Sequence, residues 1–454
     1  MTILWAEQAL TQNGWEQAVR IDIDKAGRIA SVTPNQPASG HRMALALPAI
    51  GNLHSHGFQR AMAGLTEKRG ADASDSFWSW RKLMYDFLEV LTPNDVEAVT
   101  AFAQMEMLES GFGSVAEFHY LHHGPFGQRY SNVAELSERI FSAQNSTGIG
   151  LTNLPVYYAQ GGCDGRPLAG GQLRFGNDFS SYQAIVDGNI SLLSAAPADC
   201  GIGIAPHSLR AVEKEALDDL HRLYPSGPVH LHIAEQQAEV TEVLAYFGAR
   251  PVEWLLSIQP VDARWCLVHA TQMTPQETLG LAKSGAVAGL CPITESNLGD
   301  GIFDGENYLP NGGVFGLGSD SNIRISLTEE MRTLEYSQRL KDRNRAAIAT
   351  PSASVGRTIF EGAAMGGAQA LGRACGSIAV GNWADILEIS TNHPDMEGLK
   401  GDTLLDAWIF ARDDRLVRNV WSAGRHMVQD GRHINTEAIT AAYRNSVQKL
   451  RTRL

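Results

Sequence analysis

Eight short apolar runs rich in Val, Ile, Leu and Ala recur along the middle of the chain, at 49–56, 113–119, 150–157, 201–206, 229–234, 265–270, 286–291 and 314–320. Runs of this length without polar alternation suit strands buried on both faces of a parallel sheet. Amphipathic stretches separate them. Thr274-Pro275-Gln276-Glu277 has the pattern of a capping box with proline at the first helical position. Val240, Val243, Leu244 and Phe247 fall at helical spacing, with Gly248 placed to stop that helix, and Val133, Leu136 and Ile140 form a similar stripe after Ser131. Eight strand–helix alternations predict an α/β chain folded as a (β/α)8 barrel over residues 48–375. An open doubly wound sheet fits less well, because no glycine-rich phosphate loop follows the first strand.

The flanks read differently. Residues 1–47 look like short strands joined by turns, with Gly27 breaking one run before 29–32 resumes. Residues 376–454 hold two β-rich stretches, 377–389 and 416–430, split by Gly381 and Gly424, before a terminal helix. Both chain ends are thus expected to pair into one small β-sandwich domain. Residues 64–85 fit no strand and carry Phe77, Trp78 and Trp80. They are expected to form a long loop on the barrel face where active sites assemble.

Composition narrows the function classes. With 37 basic and 50 acidic residues the formal charge is −13, and no Lys/Arg run stands out, so nucleic acid and anionic membrane are not expected partners. Cys163, Cys200, Cys266, Cys291 and Cys375 are scattered without a Cys-x-x-Cys pair. That pattern argues for a reducing compartment and against a disulfide framework or a zinc ribbon. No signal-peptide pattern and no apolar run of about 18 residues is present, so a soluble cytoplasmic protein is expected.

The candidate chemistry lies where the apolar runs end. The first closes on Asn52-Leu53-His54-Ser55-His56; side chains in a strand alternate, so His54 and His56 point the same way, about 6–7 Å apart, a separation that lets two imidazoles share one metal ion. The fifth run ends His230-Leu231-His232-Ile233-Ala234-Glu235, the sixth on His269 and the eighth on Gly318-Ser319-Asp320. Each ending alone also reads as a hydrogen-bonded strand terminus; four of them around one barrel mouth point to a metal site. His54, His56, His232 and Asp320 offer three nitrogens and one oxygen, a set that suits Zn2+ with one position left for water. His230, two residues deeper than His232, reads as barrel filling. His119, His122 and His123 read as solvated loop or substrate-wall positions, and His41, His221, His393, His426 and His433 as structural or surface residues.

Leu53-His54-Ser55-His56, His232-Ile233-Ala234-Glu235, His269 and Gly318-Ser319-Asp320-Ser321 resemble the amidohydrolase superfamily in its mononuclear deaminase branch, over nearly the whole chain. The two-metal branch uses a bridging lysine at the end of the fourth strand. Here that strand reads Gly201-Ile202-Gly203-Ile204-Ala205-Pro206-His207, which favours one metal. A narrower resemblance, to the formimidoylglutamate deiminases, is carried by Gly57-Phe58-Gln59-Arg60, Phe77-Trp78-Ser79-Trp80-Arg81, Ala116-Glu117-Phe118-His119-Tyr120, Ala205-Pro206-His207-Ser208-Leu209-Arg210 and the segment Cys291 to Gly299.

That resemblance implies hydrolysis of N-formimidoyl-L-glutamate to N-formyl-L-glutamate and ammonia, as in histidine degradation. It also implies one Zn2+ per subunit, a small dicarboxylate substrate and a homodimer. Fe2+, Mn2+ or Co2+ suit the same ligands. Glu235, read as one helical turn beyond His232, is placed to shuttle a proton, though an exposed position in a first helical turn would also welcome it. His269 would orient the attacking water, and Asp320 would serve as both ligand and base. A dicarboxylate must bind a chain of charge −13, so local cations are needed. Arg210 is the leading clamp, with Arg81 second or else packed on Trp78 or Trp80. The family positions of Gln59, Tyr120 and His207 imply added hydrogen bonds. The alternative within the superfamily is a deaminase of a purine-type base or nucleoside, which has no use for two arginine clamps.

Overall fold

The computed structural model of the chain describes residues 2–67 and 77–453. The first four strands are β1 (Thr2–Thr11), β2 (Gly14–Ile23), β3 (Ile29–Thr33) and β4 (His41–Pro48). β1 and β2 form a hairpin in which Thr11 faces Gly14, and Gly14 takes the left-handed φ of +92° that this turn demands. β4 pairs parallel to β1, and the chain then runs almost without interruption into the barrel.

The barrel strands are β5 (Ile50–Ser55), β6 (Phe112–His119), β7 (Gly150–Tyr157), the split pair β8 (Gly201–Ile202) and β9 (Ala205–Pro206), β10 (Val229–Ile233), β11 (Trp265–His269), β12 (Val287–Leu290) and β13 (Val314–Leu317). Neighbours pair in parallel, in two arcs from β5 to β9 and from β10 to β13. Single parallel bridges close the circle: Ile204 with Val229 and Ser208 with His232 on one side, Ser55 with Asp320 on the other. All eight apolar runs therefore become barrel strands, and every residue of β5, β6, β7, β10, β11 and β12 is buried.

The remaining strands, β14 (Ile386–Ile389), β15 (Val417–Ser422), β16 (Arg425–Gln429) and β17 (Arg432–His433), join the first four in one eight-stranded sheet. Its order is β17-β16-β15-β14-β4-β1-β2-β3, so the two chain ends meet where β14 pairs antiparallel with β4. Leu4, Ile21, Met43, Ile386 and Trp421 are among the residues of its own apolar core. The helix Thr436–Arg451 packs back on the barrel, with Tyr443 stacked on Phe102 at 3.9 Å.

Where local pattern and structure differ, tertiary packing is the reason. The capping box at Thr274 starts the helix Pro275–Ser284, and Gly248 ends Gln237–Phe247 in a left-handed turn. Leu244, however, sits on the outer face of that helix, and Val133 precedes the helix Glu135–Thr147 and is exposed. Residues 64–85 are not one long loop. A 3-10 helix spans Gly57–Met62 and an α-helix spans Phe77–Leu88; residues 68–76 lie outside the described residues. Among the described residues no helix is long and apolar enough to cross a membrane.

Candidate active site

The site grows from the C-terminal ends of β5, β10, β11 and β13. The Asp320 amide donates to the His54 carbonyl and the His56 amide to the Asp320 carbonyl, both at 2.9 Å, so the pairing that closes the barrel also brings the first and last strands' candidate ligands together. The His232 amide donates to the His207 carbonyl at 3.1 Å, tying β10 to the segment after β9. Left-handed backbone at Ala234, His269, Asp320 and Asn322, with φ of +50°, +74°, +45° and +54°, ends these strands abruptly and turns their side chains toward the barrel mouth. Such strain in non-glycine residues persists only where surrounding structure enforces it.

His54, His56, His232 and Asp320 each offer a ligand atom, all within 4.8 Å of one another. Nε2 of His54 and Nε2 of His232 stand 2.9 Å apart, and Oδ1 of Asp320 is 3.4 Å from Nε2 of His54 and 3.2 Å from Nε2 of His56. Ligands at about 2.0–2.1 Å around a tetrahedral Zn2+ would be spaced at roughly 3.3 Å, so this set fits one divalent cation. Nδ1–H of His56 donates to the Phe118 carbonyl at 3.0 Å, which leaves its Nε2 lone pair facing the cluster. Burial pushes His54 down to about 3 and His232 well below the ordinary imidazole value, so both are neutral. Burial alone would raise Asp320, but the imidazoles of His54 and His56 beside it hold its carboxyl well below the usual range. Neutral imidazoles beside an ionised carboxylate are the state in which such a set binds a cation. Behind Asp320, the Asn52 amide donates to Ser319 Oγ at 2.7 Å and the Asn322 amide to Ser55 Oγ at 3.1 Å.

Above this cluster opens a cavity of about 480 Å³. His56, His232, Glu235, His269 and Asp320 line its floor, and Gln59, Arg81, Tyr120, His207 and Arg210 its wall. His54 lies fully buried behind them. Gln59 donates to the Tyr120 hydroxyl at 2.6 Å, and Arg81 Nε to the Tyr85 hydroxyl at 2.6 Å. Burial, followed by the charges of Arg210 and Arg81, drives His207 well below its ordinary value, so it stays neutral between two cations. Among the described residues, Nε of Arg210 and Oε1 of Gln59 are buried without a hydrogen-bond partner. Unpaired polar atoms on a cavity wall are groups that a ligand can satisfy.

Two sequence expectations change. Glu235 does not stand one helical turn beyond His232: Ala234 breaks the direction, the helix begins only at Gln237, and the Glu235 carboxylate lies 3.9 Å from Nε2 of His269. His119, His122 and His123 are buried rather than solvated, and none of the three lines the cavity; His122 donates to the Val156 carbonyl at 2.9 Å. His230 fills the barrel as expected, with Nε2–H on the Ala370 carbonyl at 2.8 Å. Sequence reasoning passed over Glu295, which stands 3.3 Å from Nδ1 of His269, and Glu239, whose carboxylate accepts the Glu235 amide at 3.1 Å. A signal existed for Glu239, since an acidic residue in a helix's first turn faces back over the preceding strand end. For Glu295 no local signal existed.

Residues 45–427 match the amidohydrolase family, and residues 1–42 match "Formimidoylglutamate deiminase HutF, N-terminal domain". The chain is 46% identical over 447 residues to the formimidoylglutamate deiminase of Pseudomonas aeruginosa, covering 98% of each. It is 27% identical over 471 residues to that organism's 8-oxoguanine deaminase, covering 99% of each. Among solved structures, an amidohydrolase from Brucella melitensis is 43% identical and superposes with a TM-score of 0.95, over 99% of this chain and all of that one. An adenosine deaminase from Xanthomonas campestris with bound zinc shares the fold at 22% identity, with a TM-score of 0.82 over 99% of this chain and 98% of that one.

Proposed function

The chain belongs to the amidohydrolase family, and from that premise we propose that it is a metal-dependent hydrolase that deiminates N-formimidoyl-L-glutamate in histidine degradation. The reaction takes up water, breaks the C–N bond to the terminal imino nitrogen, and releases ammonia and N-formyl-L-glutamate. The observation that carries this reading is a four-donor metal cluster on the floor of a cavity whose wall holds Arg81 and Arg210. A dicarboxylate needs that combination, whereas a neutral base does not.

We assign the cation as zinc, one per subunit, held by His54, His56, His232 and Asp320; when bound it lowers the pKa of water from 15.7 to about 7. Arg210 and Arg81 clamp the two carboxylates, with Gln59, Tyr120 and His207 supplying hydrogen bonds, so that the formimino carbon faces the cluster. Glu235 protonates the imino nitrogen, which makes the amidine-like carbon electrophilic. His269 orients the attacking water and stabilises the tetrahedral adduct. Asp320 takes the water's proton and returns it to the departing nitrogen, and as the carbonyl forms the adduct's hydroxyl proton goes back to Glu235. We further read the eight-stranded end sheet as a β-sandwich domain and the protein as a cytoplasmic homodimer.

The test is ammonia release from synthetic N-formimidoyl-L-glutamate after chelation and again after zinc restoration, with N-formimidoyl-L-aspartate and adenosine as comparison substrates. Zinc-dependent turnover of the glutamate derivative is expected. Absence of turnover in the restored protein, or preference for adenosine, would overturn the reading.

A further inference from the structure

We propose that Glu295 is a positioning residue that fixes the ring of His269, so that Nε2 rather than Nδ1 faces the reacting atoms. The inference rests on the function proposed above. His269 ends β11 in a left-handed backbone conformation, with φ of +74°, so a regular strand's rotamer preferences do not hold its ring. Its Nε2 is 3.9 Å from Oε1 of Glu235 and 3.9 Å from Oδ2 of Asp320, between the two groups assigned to proton transfer. Its Nδ1 is 3.3 Å from Oε1 of Glu295. That oxygen already accepts the Cys291 amide, so it meets the ring as an acceptor of Nδ1–H, and the ring so held turns Nε2 to the cavity.

Glu295 can do this because it is itself held. The same Oε1 accepts the Cys291 amide at 2.8 Å, and the Glu295 carbonyl accepts the Asp300 amide at 2.9 Å. The short helix Pro292–Leu298 that carries it is anchored from below, where the fully buried Glu330 accepts the Ile293 amide at 2.9 Å. A line of fixed groups thus runs from Glu330 through the helix and Glu295 to His269. Its logic is that of a buried carboxylate orienting an imidazole from behind, reached here from the strand after the histidine's own. His269, Cys291 and Glu295 also offer three ligand atoms close together, which frames the rival outcome of a second cation at this point.

The experiment compares the zinc-loaded protein with Glu295→Ala and Glu295→Gln, measuring kcat, KM and metal per chain. The alanine variant should lose about 10²-fold in kcat, with KM for N-formimidoyl-L-glutamate within about threefold of the parent and metal content unchanged. Glutamine can still accept from Nδ1–H, so Glu295→Gln should fall between the two. A kcat within about threefold of the parent in the alanine variant would overturn the assignment, as would a rise in KM alone. Loss of metal would also overturn it, because Glu295 would then be a ligand. Should the alanine variant fail to fold, the glutamine variant decides: a lowered kcat at parental KM and metal content supports the role, and parental kcat refutes it. A parent that does not turn over the substrate would instead remove the proposed function, so the two failures are distinguishable.

Discussion

Two of the places where this molecule buries charge are built differently. At the seam between barrel and end sheet, Arg373 donates to Asp385 at 2.9 and 3.0 Å and to Asp199 at 3.1 Å, while Arg425 reaches Asp199 at 2.6 and 2.8 Å. Two guanidinium groups meet two carboxylates, and Asp385 also accepts the Ala423 amide at 2.6 Å. At the barrel mouth like faces like: two imidazole nitrogens stand 2.9 Å apart, and Arg210 Nε and Gln59 Oε1 have no hydrogen-bond partner among the described residues. The seam is closed upon itself and its groups serve to hold two parts of the fold together. The mouth leaves acceptors and donors pointing into shared space, which is the condition for binding something else.

Substitutions should separate the two regions. The largest effect on turnover is expected from Glu235→Gln, which removes the proposed proton carrier while preserving shape. The kcat for ammonia release should fall by about 10²–10⁴ with metal content unchanged, and near-parental kcat would move the acid–base role elsewhere. Arg210→Met comes next. Losing a charge-assisted hydrogen bond worth about 1.5–3 kcal/mol should lower kcat/KM by roughly 10- to 150-fold, mostly through KM. Titration of the substrate's saturation curve checks it, and an unchanged KM would place the carboxylate clamp on another residue. Arg373→Met should have the smallest effect on activity and a large one on stability. Breaking a buried pair costs about 3–5 kcal/mol, so the urea midpoint should drop while the kcat of the folded fraction stays parental. A loss of kcat without a loss of stability would erase the distinction drawn between seam and mouth.

The fold was readable because its signals are local. A buried parallel strand is an uninterrupted apolar run, and all eight runs became barrel strands. His54 and His56 were readable for the same reason: strand alternation alone puts them on one side of β5. Glu235 was nominated but misplaced, since the left-handed Ala234 that redirects the chain looks like any alanine in the sequence. The histidines at 119, 122 and 123 misled because their position after a strand says nothing of the loops that fold over them.

Periodicity, capping residues and the chemistry of strand termini thus determined the barrel and nominated its ligands, since each depends on residues within one or two turns of one another. Only the closed structure decided which groups meet across the chain. Ser55 pairs with Asp320, His269 with Glu295 and Arg373 with Asp199 because the barrel brings together segments that lie 265, 26 and 174 positions apart. No short-range pattern records such a distance; it is set by packing the whole core.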